Sequence, residues 1–297
     1  MSDAPTPMEP VSEACCDSTC CGGEASRHEP LPAALESSAD VRNAVRERYG
    51  AIAEGRSAGC CGTECGCNGG SIEGVLEQIG YTSEQIESIP AESNLGLGCG
   101  SPLRGVALRP GDVVLDLGSG AGLDVFLAAR AVGPQGRAIG VDMTPSMVER
   151  ARSVAARHGI DNAEFRLGEI EHLPVADASV DLVISNCVVN LSPDKGQVFR
   201  EAYRALKPGG QMVVSDLVLD RVLSPELRRS VDLYVGCVAG AALREEYLRL
   251  VREGGFGDVT IVHESGYDPG LSDLPEESPE RAAFGAVRSI TVAARKG

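Results

Sequence analysis

Five short apolar runs, at 113–117, 137–142, 163–167, 180–185 and 211–216, alternate with stretches of helical periodicity over about 122–132, 145–158 and 194–206. No other feature limits the chain so tightly. Strands joined by helical crossovers pair in parallel, and right-handed crossovers cover both faces of the sheet. The expected class is therefore α/β, a doubly wound, mostly parallel sheet. Lys207-Pro208-Gly209-Gly210 closes the third helix, and a longer helical region is expected over 224–253. Two more strand-like runs, 257–263 and 285–295, bring the sheet to seven strands and are expected to pair as an antiparallel hairpin at its edge.

The chain ahead of this alternation has a different character. Residues 1–39 carry five prolines and the doublets Cys15-Cys16 and Cys20-Cys21, with little apolar periodicity, and read as a disordered tail. From Asp40, well placed to cap, Val41, Ala44, Val45, Tyr49 and Ile52 recur at helical spacing. A Gly/Cys-rich loop from Gly59 to Gly70 holds Cys60, Cys61, Cys65 and Cys67. Short helices are expected from about Ser71 and over Ser83 to Leu95, leading into Gly96-Leu97-Gly98-Cys99-Gly100. The expected organisation is a tail (1–39), a helical, Cys-rich segment (40–100), a catalytic α/β domain (101–266) and a short extension ending in the final strand (267–297).

Composition narrows the partners. A net charge of −16 repels phosphate backbones, so nucleic acid is not an expected partner. No apolar run approaches the roughly 18 residues that span a bilayer, and Met1-Ser2-Asp3-Ala4-Pro5 lacks the features of a signal peptide. The expected location is the cytoplasm. Eleven cysteines in a reducing compartment point away from disulfide scaffolding and toward metal, metalloid or redox chemistry.

The first strand ends Val114-Leu115-Asp116-Leu117-Gly118-Ser119-Gly120-Ala121-Gly122 and opens directly into a helix. In a doubly wound sheet this is the crevice where ligands bind. A dinucleotide fingerprint would want glycine at 118, 120 and 123, but Leu123 breaks it. Asp116 suits an ammonium group and opposes a pyrophosphate, which favours S-adenosylmethionine over a nicotinamide dinucleotide. Asp142, ending the second strand, can accept both ribose hydroxyls, and Met143 can pack on adenine. Glu169, followed by Ile170, is placed to bond the adenine amino group. A glycine-rich turn alone is more simply a tight βα connection; Asp116, Asp142 and Glu169 in register give it a ligand. Over residues 105–217 the chain resembles a class I, Rossmann-like methyltransferase that uses S-adenosylmethionine. That resemblance implies cofactor binding by Asp116, Gly118, Ser119, Gly120, Gly122, Asp142, Met143, Glu169, Ile170 and Asn186.

The end of the fourth strand faces the transferable methyl in this fold, and here it reads Ser185-Asn186-Cys187-Val188-Val189-Asn190-Leu191. It offers a thiol and no general base. Cys99 and Cys237 stand at positions that can reach the same mouth. Singly, each is a small, buried hydrophobe. Three thiols from three segments suit a soft acceptor that needs no deprotonation. Trivalent arsenic binds three thiolates and keeps a lone pair for the methyl; zinc wants four donors and has no lone pair to methylate.

At these residues the chain closely resembles the arsenite S-adenosylmethionine methyltransferases. The matching pieces are Gly98-Cys99-Gly100, Leu115 to Gly120, Val141-Asp142-Met143-Thr144, Ser185 to Leu191 and Gly236-Cys237-Val238-Ala239-Gly240-Ala241 with Leu243. The resemblance covers about residues 40–265. It implies arsenic ligation by Cys99, Cys187 and Cys237, with Cys60 or, by preference, Cys61 relaying a disulfide between turnovers. It also implies arsenite or its glutathione conjugate as substrate and thioredoxin or glutathione as reductant. Two other readings stay open: a methyltransferase for another small molecule, indifferent to arsenite and to thiol alkylation, and a cysteine-rich metalloid chaperone that binds arsenite without methylating it.

Overall fold

Ser37 opens the first helix, α1 (Ser38–Ala53). Its Oγ accepts the Asp40 N–H at 3.2 Å and the Asp40 carboxylate accepts the Ser37 N–H at 2.9 Å, a reciprocal box that satisfies two orphan donors. Asp40 therefore sits three residues inside the cap it was expected to form, and residues 37–39 belong to the helix start rather than to a tail. The computed structural model describes residues 37–56, 72–223, 237–267, 281 and 285–297. All of them fall within one compact unit, Pro32–Gly297. Two short helices follow, α2 (Ile72–Gln78) and α3 (Ser83–Ser88), the second capped by a Thr82–Gln85 box.

The α/β expectation holds. Strands β1 (Val113–Leu117), β2 (Arg137–Asp142), β3 (Ala163–Leu167), β4 (Val180–Asn186), β5 (Leu206–Leu219), β6 (Gly257–Gly266) and β7 (Val287–Arg295) form one sheet in the order β3-β2-β1-β4-β5-β7-β6. The first five are parallel, with β1 between β2 and β4, so the strand order reverses there. Helices α4 (Leu123–Val132), α5 (Pro145–His158), α6 (Lys195–Ala205) and α7 (Arg244–Glu253) cover the faces. Alternate strand residues divide between two cores, as the two-residue strand period requires. Leu115, Leu117 and Val183 pack with Phe199 and Tyr247 on one side, while Val114, Leu182 and Ile184 pack with Val125, Phe126 and Val148 on the other. No helix among the described residues is long and apolar enough to cross a membrane.

Three expectations change. The Lys207–Gly210 turn does not precede β5 but lies within it as an irregularity, Leu206 facing Val180 and Gln211 facing Leu182. The last two strands do pair antiparallel, yet β7 inserts between β5 and β6, so β6 alone forms that edge. The continuous helix over 224–253 is not found in its described part: residues 237–243 are turn and loop, and α7 begins only at Arg244. Cys237 stands there at φ +66°, a left-handed backbone that a continuous right-handed helix does not admit.

Candidate active site

The turn between β1 and α4 is built for close approach. Gly118 has φ +68° and a Cβ there would lie 2.4 Å from Val188 Cγ1. Gly120, at φ +51°, faces open space, for a Cβ there would meet no atom within 4 Å. The Asp142 carboxylate ties this turn to the end of β2, accepting the Gly120 N–H at 2.9 Å and the Thr144 N–H at 2.8 Å. Asp116 is buried, and among the described residues its carboxylate receives no protein hydrogen bond. Burial, then the neighbouring Asp124 and Asp142, pushes its pKa well above the usual range. An anion so placed fits a cationic group brought by a ligand. The Ser119 hydroxyl, also buried, has no partner either.

Glu169 is half-buried and faces α1: Arg42 Nε lies 3.3 Å and Arg46 Nη2 3.7 Å from its carboxylate. Arg46 Nε also donates to the Met143 carbonyl at 3.3 Å. Met143 packs beside Tyr49 of α1 in the cluster that includes the thiols, whereas Ile170 is buried in the sheet core. These arginines were not singled out in sequence.

Cys99, Cys187 and Cys237 come from three separate segments into that same cluster, beneath Val45 and Tyr49 of α1. Asn186, ending β4, holds the first of them. Its Oδ1 accepts the Cys99 N–H at 3.1 Å and its Nδ2 donates to the Gly100 carbonyl at 2.7 Å and to the Tyr81 hydroxyl at 2.9 Å. Tyr81 in turn donates to Asp124 at 2.9 Å, and Ser289 of β7 donates to the Cys99 carbonyl at 2.6 Å. Cys187 and Cys237 both occupy the left-handed region, at φ +60° and +66°. Non-glycine residues rarely pay the ~1–2 kcal/mol this costs outside sites that demand it. The Cys237 thiol donates to the Cys187 carbonyl at 2.9 Å. All three cysteines are free thiols. Burial raises the Cys99 pKa, and the Cys187 thiol together with burial pushes Cys237 well up. For Cys187, hydrogen bonding to Cys237 pulls downward, but Cys99 and burial carry it well above the ordinary value.

Asp216 of β5 is the residue that sequence reading missed. A carboxylate oxygen of Asp216 and the sulfurs of Cys99 and Cys187 all lie within 4.8 Å of one another. The side chain is fully buried and accepts from Asn190 Nδ2 at 2.8 Å, Leu217 N at 2.9 Å, Asn190 N at 3.2 Å and Tyr247 Oη at 3.2 Å. Burial pushes its pKa up to about 7. The signal was present as a charge inside the apolar run Met212 to Leu219. Cys61 lies outside the described residues, as do Cys60, Cys65, Cys67 and the doublets Cys15-Cys16 and Cys20-Cys21.

Comparison with known proteins agrees with this geometry. The family described as a methyltransferase domain matches residues 108–255. An arsenite methyltransferase of Halobacterium salinarum is 42% identical, over 94% of this chain and 72% of its own length. One from Aquipseudomonas alcaligenes is 39% identical, over 83% of this chain and 70% of its own. The crystal structure of an arsenic(III) S-adenosylmethionine methyltransferase from Chlamydomonas reinhardtii superposes with a TM-score of 0.59 at 38% identity, covering 75% of this chain and 72% of the other. A Rossmann-like sheet with an acid-flanked glycine turn, and relatives matched over most of both chains, lead to one conclusion: this chain belongs to the arsenite methyltransferase family of S-adenosylmethionine-dependent enzymes.

Proposed function

We propose that this chain methylates trivalent arsenic held by Cys99, Cys187 and Cys237, with S-adenosylmethionine as donor. The gathering of these three free thiols in one apolar cluster supports the reading, with the Cys99 and Cys187 sulfurs within 4.8 Å of each other and the Cys237 thiol on the Cys187 carbonyl. Arsenite exchanges its three hydroxyls for the three sulfurs, each thiol proton leaving with a hydroxide as water. The raised thiol pKa values suit this exchange, since the proton stays on sulfur until a hydroxide takes it. When bound, S-adenosylmethionine supplies an electrophilic methyl. Asp116 is assigned to its ammonium, Asp142 to the ribose hydroxyls, Glu169 to the adenine amino group and Met143 to the adenine face, with Gly118, Ser119, Gly120, Gly122, Ile170 and Asn186 shaping the pocket. The thiols hold the arsenic lone pair in line with the methyl, and much of the rate enhancement is then positioning in a dry site.

Cys61 is proposed as the relay thiol, reset by thioredoxin or glutathione, and arsenite is proposed to arrive free or as a glutathione conjugate. The proposed setting is the cytoplasm, because the mechanism needs reduced thiols. The four-part organisation into 1–39, 40–100, 101–266 and 267–297 is retained as a proposal, with its first boundary moved to precede the Ser37 cap of α1. Purified protein incubated with arsenite, S-adenosylmethionine and a thiol should yield methylated arsenicals by mass-spectrometric speciation. Cys187→Ser and Cys237→Ser should yield none from inorganic arsenite; wild-type rates from Cys187→Ser would overturn the ligand assignment.

A further inference from the structure

An arsenic atom held by three sulfurs forms an electrically neutral centre and needs no carboxylate beside it. Yet this carboxylate is wholly buried beside two of the thiols, with an oxygen within 4.8 Å of both sulfurs. Four hydrogen bonds, from Asn190, Leu217 and Tyr247, fix its orientation. An outer set of donors orienting a carboxylate is what metal-ligating acids have. We propose that Cys99, Cys187 and Asp216 form a binding site for a thiophilic divalent cation of the zinc class, which arsenite must displace.

Geometry and charge both support this. A tetrahedral zinc ion with sulfur at about 2.3 Å and carboxylate oxygen at about 2.1 Å sets two sulfurs roughly 3.8 Å apart and a sulfur and an oxygen roughly 3.6 Å apart, so no pair here has to close by more than about 1.2 Å. Two thiolates and a carboxylate carry three negative charges. Lys195 supplies one compensating positive charge; its ammonium is anchored on the carbonyls of Asn190 at 3.2 Å and Ser192 at 3.1 Å and acts electrostatically on Asp216. A divalent cation supplies the other two. Trivalent arsenic draws on Cys237 instead of Asp216, so the two occupants share two sulfurs and differ in the third donor. Binding the cation releases to solvent the protons of Cys99 and Cys187, and that of Asp216 in the fraction of molecules that carry it. The cation site stands on its own residues, whereas the displacement by arsenite rests on the function proposed above.

Cobalt(II) is the probe, because tetrahedral thiolate ligation gives it intense visible and sulfur charge-transfer absorption. It is added to the reduced full chain without oxygen, and to a variant with serine at the eight cysteines other than Cys99, Cys187 and Cys237. Both should bind cobalt with the thiolate band, and the eight-serine variant should bind one ion per chain. Asp216→Asn in that variant should weaken cobalt at least tenfold and shift the visible bands, while arsenite binding, read by equilibrium dialysis, stays within threefold. Stoichiometric arsenite should discharge the band. An unchanged affinity and spectrum in Asp216→Asn would overturn the proposal, as would the absence of a thiolate band from the eight-serine variant. Cobalt binding without arsenite binding would sink the proposed function and leave the cation site standing; arsenite binding without cobalt would do the reverse.

Discussion

Asn186 and Cys99 are joined by a hydrogen bond of 3.1 Å from the cysteine N–H to the asparagine Oδ1, while the same amide donates at 2.7 Å to the carbonyl of Gly100. One side chain thus grips the backbone on both sides of a thiol. Asn186→Ala leaves those buried groups unpaired, at about 1–3 kcal/mol each. The expected result is a Tm lower by several degrees, an arsenite KM raised about tenfold and a smaller loss, about threefold, in affinity for S-adenosylhomocysteine by calorimetry. A loss for S-adenosylhomocysteine with arsenite unaffected would place Asn186 with the cofactor alone.

Asp142 serves the cofactor turn directly, because its two oxygens already hold Gly120 and Thr144. Asp142→Ala should weaken S-adenosylhomocysteine at least tenfold in calorimetry. Asp142→Asn keeps one backbone acceptor and should fall between.

Much of this was legible beforehand, and the reason is local. The β1–α4 turn and the first five strands are written in neighbouring residues: apolar runs, glycines at fixed offsets, and an acid at or just beyond the ends of the first three strands. Asp216 escaped notice because its meaning comes from Cys99 and Cys187, which reach it across the fold from far along the chain. Cys237 was read on a helix because alanines and glycines carry no periodic side chains to contradict one; it sits in a left-handed turn. Tyr81 and Asp124 likewise acquire their roles only through Asn186, which joins segments about a hundred residues apart.

The left-handed turn at Cys237 makes a stability prediction of its own. With φ at +66°, any residue bearing a Cβ is strained there, and glycine is not. Cys237→Gly should be about 1 kcal/mol more stable than Cys237→Ala in urea unfolding, though both lose arsenite methylation. An alanine variant as stable as the glycine one would mean the turn stores no strain.

Burial pushes the Asp124 pKa up to about 6, against the pull of hydrogen bonds from Tyr81 and Asn186. A raised acid contributes stability that is fully present below its unfolded value of about 4 and is lost as pH rises through 6. Ligand-free wild type should therefore weaken between pH 4 and 6, by at most about 3 kcal/mol from this group. Asp124→Asn should flatten that part of a Tm-against-pH curve; an unaltered slope would show that the carboxylate is not the cause.

The placement of β7 has a consequence in time. This strand, reaching to Arg295, lies inside the sheet and contributes Ser289 to the Cys99 carbonyl and Thr291, 2.9 Å from the Ser215 hydroxyl. Of the seven strands, β7 is synthesised after the other six. A nascent chain therefore carries Cys99, Cys187 and Cys237 on an unfinished sheet, and the brace that β7 gives to the Cys99 carbonyl arrives only after every other strand has been made.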